Sequence, residues 1–175
     1  MRIAIYPGTF DPVHYGHIDI ARRAATIVDR LVVAVYGRPL KALLFPTEKR
    51  VAMVREAMAD LDNVEVEGYT GLTVDYATKR GADFIVRGLR VISDFELEYQ
   101  MALTNRKLAP HIDLVCLMTS LEYAFLSSSI VKEVALAGGC VEQMVPPHVV
   151  RALKDRLGDL GAAGRDEVKL VSLRD

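Results

Sequence analysis

Cysteine is scarce in this chain of 175 residues: only Cys116 and Cys140 occur, far apart and without a C-x-x-C spacing. That scarcity excludes a disulfide frame and a thiolate zinc site, and it suits free thiols in a reducing compartment. An excess of either charge is also missing, since 22 Lys and Arg stand against 23 Asp and Glu for a formal net charge of -1. No bulk field gathers nucleic acid or an anionic membrane surface, so any anion has to be bound locally. No window approaches the ~18 consecutive apolar residues that cross a bilayer, and no long apolar run follows Arg2 in the manner of a leader. A cytoplasmic protein is expected. Internal repeats are absent, as is a clustered carboxylate cage for a metal.

What is present is an ordinary globular composition, 51% apolar and 26% charged, with enough chain to bury one core. A single domain over residues 1–157 is expected. Residues 158–175, with Gly158, Gly161 and Gly164 among charges, read as an appended tail.

Short runs rich in Val and Ile recur at Arg2–Tyr6, Arg30–Tyr36, Val64–Val66, Phe84–Arg87 and Ile112–Met118. Their apolarity is continuous rather than alternating, as burial on both faces of a parallel sheet requires. Helical segments lie between them. Ile18, Arg22, Ala25 and Val28 mark the first, and Thr47 offers an N-cap for Glu48–Asp60. Leu72–Arg80 follows the third run, and Ser93 with Glu96 suggests a capping box for Asp94–Leu108. Gly138-Gly139 closes Ser129–Ala137, and Pro146-Pro147 starts another helix. The strand–helix alternation predicts a Rossmann-like α/β fold, a doubly wound parallel sheet with right-handed crossovers.

In such sheets ligands sit beyond the carboxyl ends of the strands, and three of those junctions are unusual. The first run leads into Tyr6-Pro-Gly-Thr-Phe-Asp-Pro-Val-His-Tyr-Gly-His17, the fourth into Arg87-Gly-Leu-Arg90, and the fifth towards Ser127-Ser-Ser129. Together they offer imidazoles, guanidiniums, hydroxyls and helix-end amides, a set that suits a polyphosphate. His14 and His17, three apart at a helix start, share one face, and Gly16 leaves room for a ligand. The helix N-terminus favours an anion there. Two readings stand: one histidine caps or packs, or the pair faces an anion. A zinc site needs further ligands, and none is spaced to supply them. Arg87 and Arg90 pair with Asp94 or Glu96 at the surface, or their forks grip phosphate. The serines form a loop, a cap or a phosphate cradle. Lys41, in the loop after the second run, is either solvated or a phosphate ligand. Glu98 has only a solvent-facing reading, and Tyr123 and Phe125 serve equally as core residues or as an edge for a base ring.

The T-x-D-P-x-H-x-G-H pattern of Thr9–His17 resembles the signature of the nucleotidyltransferase superfamily, related to the H-I-G-H of class I aminoacyl-tRNA synthetases. The resemblance sharpens with Y-P-G-T-F-D-P…G-H-I-D-I, I-V-R-G-L-R followed by S-D-F-E-L-E-Y-Q, and F-L-S-S-S-I-V-K-E-V-A. In order and spacing, from Arg2 to about Leu157, these segments are similar to the bacterial phosphopantetheine adenylyltransferase family. That kinship implies formation of dephospho-coenzyme A and pyrophosphate from 4′-phosphopantetheine and ATP, with magnesium arriving on the ATP, in a homohexamer inhibited by coenzyme A. Residue by residue it implies that Thr9, Lys41, Thr73 and Arg87 contact the acceptor. Thr9, Phe10, His17, Gly88, Leu89, Arg90, Glu98, Tyr123, Ala124, Phe125, Leu126, Ser127, Ser128 and Ser129 would surround ATP. Arg38 and Ala124 depart from the family's frequent Asn and Ser.

An acceptor phosphate is already anionic near neutral pH, so direct in-line attack on the α-phosphorus needs no base. The protein's task is to align two anions and stabilise the developing charge. His17 is assigned to the α-phosphate, Lys41 to the meeting point of the two substrates, and Arg90 with Ser128 and Ser129 to the β,γ end. His17, Lys41 and Arg90 thus form the catalytic set, with no protein-built metal site. Two other expectations compete: transfer to another phosphate such as nicotinamide mononucleotide or glycerol phosphate, and a non-catalytic nucleotide-binding module. A full aminoacyl-tRNA synthetase is excluded, because a K-M-S-K-S segment is lacking.

Overall fold

Buried, β-branched runs need cover on both sides, and the chain supplies it. In the computed structural model, which describes residues 1–39 and 43–166, the strands are β1 (Ile3–Gly8), β2 (Arg30–Tyr36), β3 (Val64–Tyr69), β4 (Phe84–Leu89) and β5 (Asp113–Met118). The helices are α1 (Tyr15–Ala25), α2 (Thr47–Ala57), α3 (Thr73–Lys79), α4 (Ile92–Leu108), α5 (Ser128–Leu136) and α6 (Pro147–Asp166). All strand pairings are parallel, in the order β3-β2-β1-β4-β5. The expected Rossmann-like sheet is thus present.

Side chains alternate between two cores, as the pleat dictates. Ala4, Tyr6, Leu31, Val33 and Val35 join the larger core with Ile20, Val54, Val131 and Leu153 from α1, α2, α5 and α6. Ile5, Val32 and Ala34 face Val74 and Ala77 of α3 on the other side. Chain order runs outward through β1, β2 and β3, then returns to place β4 on the other flank of β1. The switch point lies between β1 and β4. There the ladder is short, with Ala4 opposite Phe84 and Ile5 opposite Ile85, whereas β1 follows β2 as far as Gly8 opposite Val35. Beyond Ile5 the two strand ends part and leave a crevice.

Helix starts differ from the sequence reading where polar side chains are engaged by other partners. Pro46, not Thr47, caps α2. The Thr47 hydroxyl instead donates to the Gly37 carbonyl at 3.3 Å and accepts from Arg50 at 2.9 Å. The Ser93–Glu96 box does not form, since α4 begins at Ile92 and is capped by Val91. Asp94 turns back to accept from the Arg90 amide at 2.9 Å. Gly138 ends α5 as expected, with φ of 77° and the Gly139 amide returning to the Val134 carbonyl at 2.8 Å. α6 continues past Leu157, Leu160 packs on the larger core, and helical geometry breaks at Gly161.

One helix fully buries none of its residues within the chain. α4 carries no buried residue, and Ile92, Phe95, Leu97, Met101 and Leu103 stand exposed along it. Its apolar residues are spread around the helix rather than gathered in one stripe. A surface helix of that kind is unusual in a lone chain. Among the described residues no helix is long and apolar enough to cross a membrane.

Candidate active site

The crevice between β1 and β4 opens into a cavity of about 1020 Å³. Its floor starts with a tight turn. Phe10 has φ of 50°, and its buried ring lies so close to Gly8 that a β-carbon there would sit 2.8 Å from it. Any larger residue at Gly8 would displace that ring. Phe10 also meets His17 edge-on, with centroids 4.9 Å apart. Phe10 is only 1% exposed, so its ring supports His17 from within the core.

The backbone also fixes the state of His17. Its Nδ1 accepts from the His14 amide at 3.2 Å. A nitrogen that accepts cannot hold the proton, so neutral His17 carries it on Nε2 as a donor. His14 caps α1 through its carbonyl, which accepts from His17 and Ile18 at 2.9 and 3.2 Å. Its ring is buried and stacks on His17 with centroids 3.6 Å apart. The space beside Gly16, expected to admit a ligand, is filled by the His14 ring, 3.1 Å from where a β-carbon would be. Both imidazoles border the cavity, His17 directly and His14 as the buried ring packed against it.

Both arginines of the R-G-L-R segment line the cavity and both are paired. Arg87 reaches across the parted strands to donate to the Pro7 carbonyl at 2.8 Å, and its Nε meets Glu98 at 2.7 Å. Burial opposes the Arg87 charge, but the bonds to Glu98 outweigh it and raise its pKa. Its partner is therefore Glu98, neither Asp94 nor Glu96 as the sequence suggested. Glu98 is mostly buried in that pair rather than solvent-facing. Arg90 holds Asp94 through Nε at 3.0 Å and Nη2 at 3.1 Å, while Nη1 donates to the Leu126 carbonyl at 3.1 Å. Burial would raise the pKa of Asp94, yet the hydrogen bonds from Arg90 prevail and lower it. Each guanidinium arrives oriented, a step towards preorganisation.

Two of the three serines have structural duties. Ser127 caps α5 by accepting the Ile130 amide at 3.1 Å, and Ser128 donates its hydroxyl to the Pro12 carbonyl at 2.9 Å. Both still line the cavity with Ser129, Tyr123, Leu126 and Gly88, at the amide-rich end of α5. Thr9 and Thr73 line the opposite end with Tyr36 and Tyr69, and Thr73 shares a 2.8 Å hydrogen bond with Tyr69. Leu89, Ala124 and Phe125 do not line it, and Lys41 lies outside the described residues. Among the described residues no cluster of three or more His, Cys, Asp or Glu could hold a metal.

Sequence reasoning missed the polar groups that hold these segments together. Asp11, 1% exposed, accepts from the Leu44 and Phe45 amides, each at 2.9 Å, and from Lys132 at 3.2 Å. It joins the turn after β1 to the approach to α2 and to α5. Asp19 does similar work by binding the Ser120 hydroxyl at 2.9 and 3.0 Å. Arg50 is fully buried. The one sequence signal for it is its spacing, because Arg50, Met53 and Val54 fall on one helical face.

Known proteins resemble the chain in sequence and in fold. Residues 5–134 match the cytidylyltransferase-like family model. The chain is similar to the phosphopantetheine adenylyltransferase of Desulforudis audaxviator, 53% identical over 92% of this chain and 99% of that protein. It is also similar to that of Roseiflexus sp., 53% identical over 90% of this chain and 99% of the relative. A solved Vibrio parahaemolyticus structure assigned as a nicotinate-nucleotide adenylyltransferase aligns with a TM-score of 0.66, over 88% of this chain and 99% of that one. At 16% identity the last likeness is one of fold alone.

The packing of His14 predicts a pH effect on stability. Burial, assisted by the charge of Arg90, pushes its pKa down from 6.5 to about 3. On acidification the unfolded chain therefore takes up this proton first. The contribution is fully present above the unfolded pKa and is lost as pH falls from 6.5 towards 3, at a limiting slope of about 1.4 kcal/mol per pH unit. Urea unfolding should show the wild type losing roughly 2 kcal/mol more than His14→Gln between about pH 6 and 4.5. Parallel pH profiles for the two proteins would contradict the buried, neutral imidazole.

Proposed function

The chain belongs to the phosphopantetheine adenylyltransferases, within the cytidylyltransferase-like family, and from that premise we propose how its site works. It transfers AMP from ATP to 4′-phosphopantetheine, reversibly, giving dephospho-coenzyme A and pyrophosphate in coenzyme A biosynthesis. The observation that carries the mechanism is the convergence of His17, the Arg87 and Arg90 forks and the amino end of α5 on one crevice at the topological switch point.

An acceptor phosphate oxygen bonds to the α-phosphorus as the bridging bond to the β-phosphate breaks, and pyrophosphate leaves with the electron pair. His17 Nε2 donates to the α-phosphate as charge builds there. Arg90, with the Ser128 and Ser129 amides at the amino end of α5, receives the β,γ end. Thr9, Thr73 and Arg87 take the acceptor on the opposite side, and Lys41 meets both substrates. Glu98, Gly88, Tyr123 and Leu126 shape the nucleotide side. Asp94 and Glu98 are each engaged by an arginine, so the donor set fits a magnesium ion carried on ATP oxygens and water better than a protein-built cage. Such an ion supplies neutralisation of phosphate charge.

The uncovered apolar residues of α4, with Ile92 83% and Leu97 68% exposed, support self-association; the proposed assembly is a homohexamer. Coenzyme A, which shares the product's two halves, would occupy the same cavity and inhibit. Cys116 and Cys140 are free thiols, in keeping with a cytoplasmic location.

The assay is pyrophosphate release from ATP and magnesium with each acceptor. A wide preference in kcat/KM for 4′-phosphopantetheine over nicotinamide mononucleotide is expected, and equal turnover would refute the acceptor assignment. In the same assay His17→Ala should stay folded and bind ATP while kcat falls about 10²–10³-fold, roughly 3–4 kcal/mol. His14→Ala should lose less rate. Near-normal kcat in folded His17→Ala would remove the imidazole from the chemistry.

A further inference from the structure

Arg50 is the largest fully buried side chain in the described protein, and its guanidinium forms no ion pair among the described residues. Its hydrogen bonds go to neutral oxygens instead. Nε donates to the Phe45 carbonyl at 3.1 Å, Nη1 to the Thr9 and Tyr36 carbonyls at 2.5 and 2.9 Å, and Nη2 to the Thr47 hydroxyl at 2.9 Å. A cation buried this way is costly, and what offsets the cost is its four hydrogen bonds together with the longer-range charges of Asp11 and Glu48. The planar fork has one property that no apolar residue or lysine shares: it binds several divergent acceptors in fixed geometry. The acceptors it joins are the carboxyl ends of β1 and β2 and the approach to α2.

We infer that Arg50 is a positioning residue for the acceptor half of the site, setting the separation of Thr9 and Tyr36 across the β1–β2 boundary. Thr9 and Tyr36 both line the cavity, at the end where the acceptor is assigned, so the inference rests on the function proposed above. The nucleotide side is held by other contacts. Arg90 is oriented by Asp94, and Ser128 is tied to Pro12. Loosening Arg50 should therefore separate the two substrates in their response, whereas a general loss of stability would affect both alike.

Arg50→Lys keeps the charge and removes the fork. With folding verified by thermal unfolding, calorimetric titration should show 4′-phosphopantetheine binding weakened about tenfold or more, with ATP affinity within about twofold of wild type. KM for the acceptor should rise in parallel. Thr47→Val leaves Arg50 in place but removes one acceptor from the fork, and should show the same split at smaller size, which keeps the test decisive if Arg50→Lys does not fold. Unchanged acceptor binding in a folded Arg50→Lys, equal weakening of both substrates, or wild-type acceptor binding in Thr47→Val beside an unfolded Arg50→Lys would overturn the role. A wild type that turns over 4′-phosphopantetheine while the variants bind it normally sinks only the role of Arg50. A wild type that binds ATP but ignores the acceptor sinks the proposed function and this inference together.

Discussion

Two parallel strands that stop pairing early create the space in which the rest of the site is built. β1 and β4 share a ladder only at their amino ends, at the boundary where the order of the strands reverses. Parting strands expose backbone carbonyls that need donors. Arg87 answers this by spanning the gap to Pro7, so the guanidinium that closes the sheet's hydrogen bonding is also the one turned towards the cavity. The same economy recurs at Ser128, whose hydroxyl secures the turn after β1 while its residue lines the amino end of α5.

Electrostatics explains why such a site stands ready without its ligands. Several cations facing one crevice would repel each other and collapse onto solvent or carbonyls. Here Glu98 and Asp94 hold Arg87 and Arg90 in defined directions, which limits the reorganisation required when polyphosphate arrives. His17 is set by a different device. Its acceptor nitrogen is occupied by a backbone amide, and the Phe10 ring beneath it fixes its tilt. Deeper still, Asp11 with Lys132 and Arg50 with its carbonyls lock three chain segments that are distant in sequence.

The sheet was legible because its strands are short, continuously apolar and separated by helix-length segments. β2 matches its expected limits of Arg30–Tyr36, and β3 and β4 extend past theirs by three and two residues, which bring Tyr69 and Gly88 to the crevice. The segments that build the site were legible for the same reason: they follow strand ends. What escaped was long-range. Asp11 stands in plain view within T-F-D-P, yet nothing local says that it meets Lys132, which lies 121 positions away. The pairing of Arg87 with Glu98 over the nearer acids depends on how α4 turns after Arg90. Arg50 shares a helical face with Met53 and Val54, yet nothing local names the Thr9 and Tyr36 carbonyls that it meets. Thr47 and Ser93 misled because other groups take the capping places: the Thr47 hydroxyl is engaged by Arg50, and Asp94 accepts the Arg90 amide.

In the mechanism proposed for this crevice, two phosphates are aligned for one direct displacement, and no adenylyl group passes through a protein side chain. The stereochemical course at the α-phosphorus tests it most directly, using ATP made chiral there with sulfur and oxygen isotopes. A single in-line attack predicts inversion of configuration in the dephospho-coenzyme A analogue. Retention would mean two displacements through a covalent adenylyl-protein intermediate and would rule out the direct transfer.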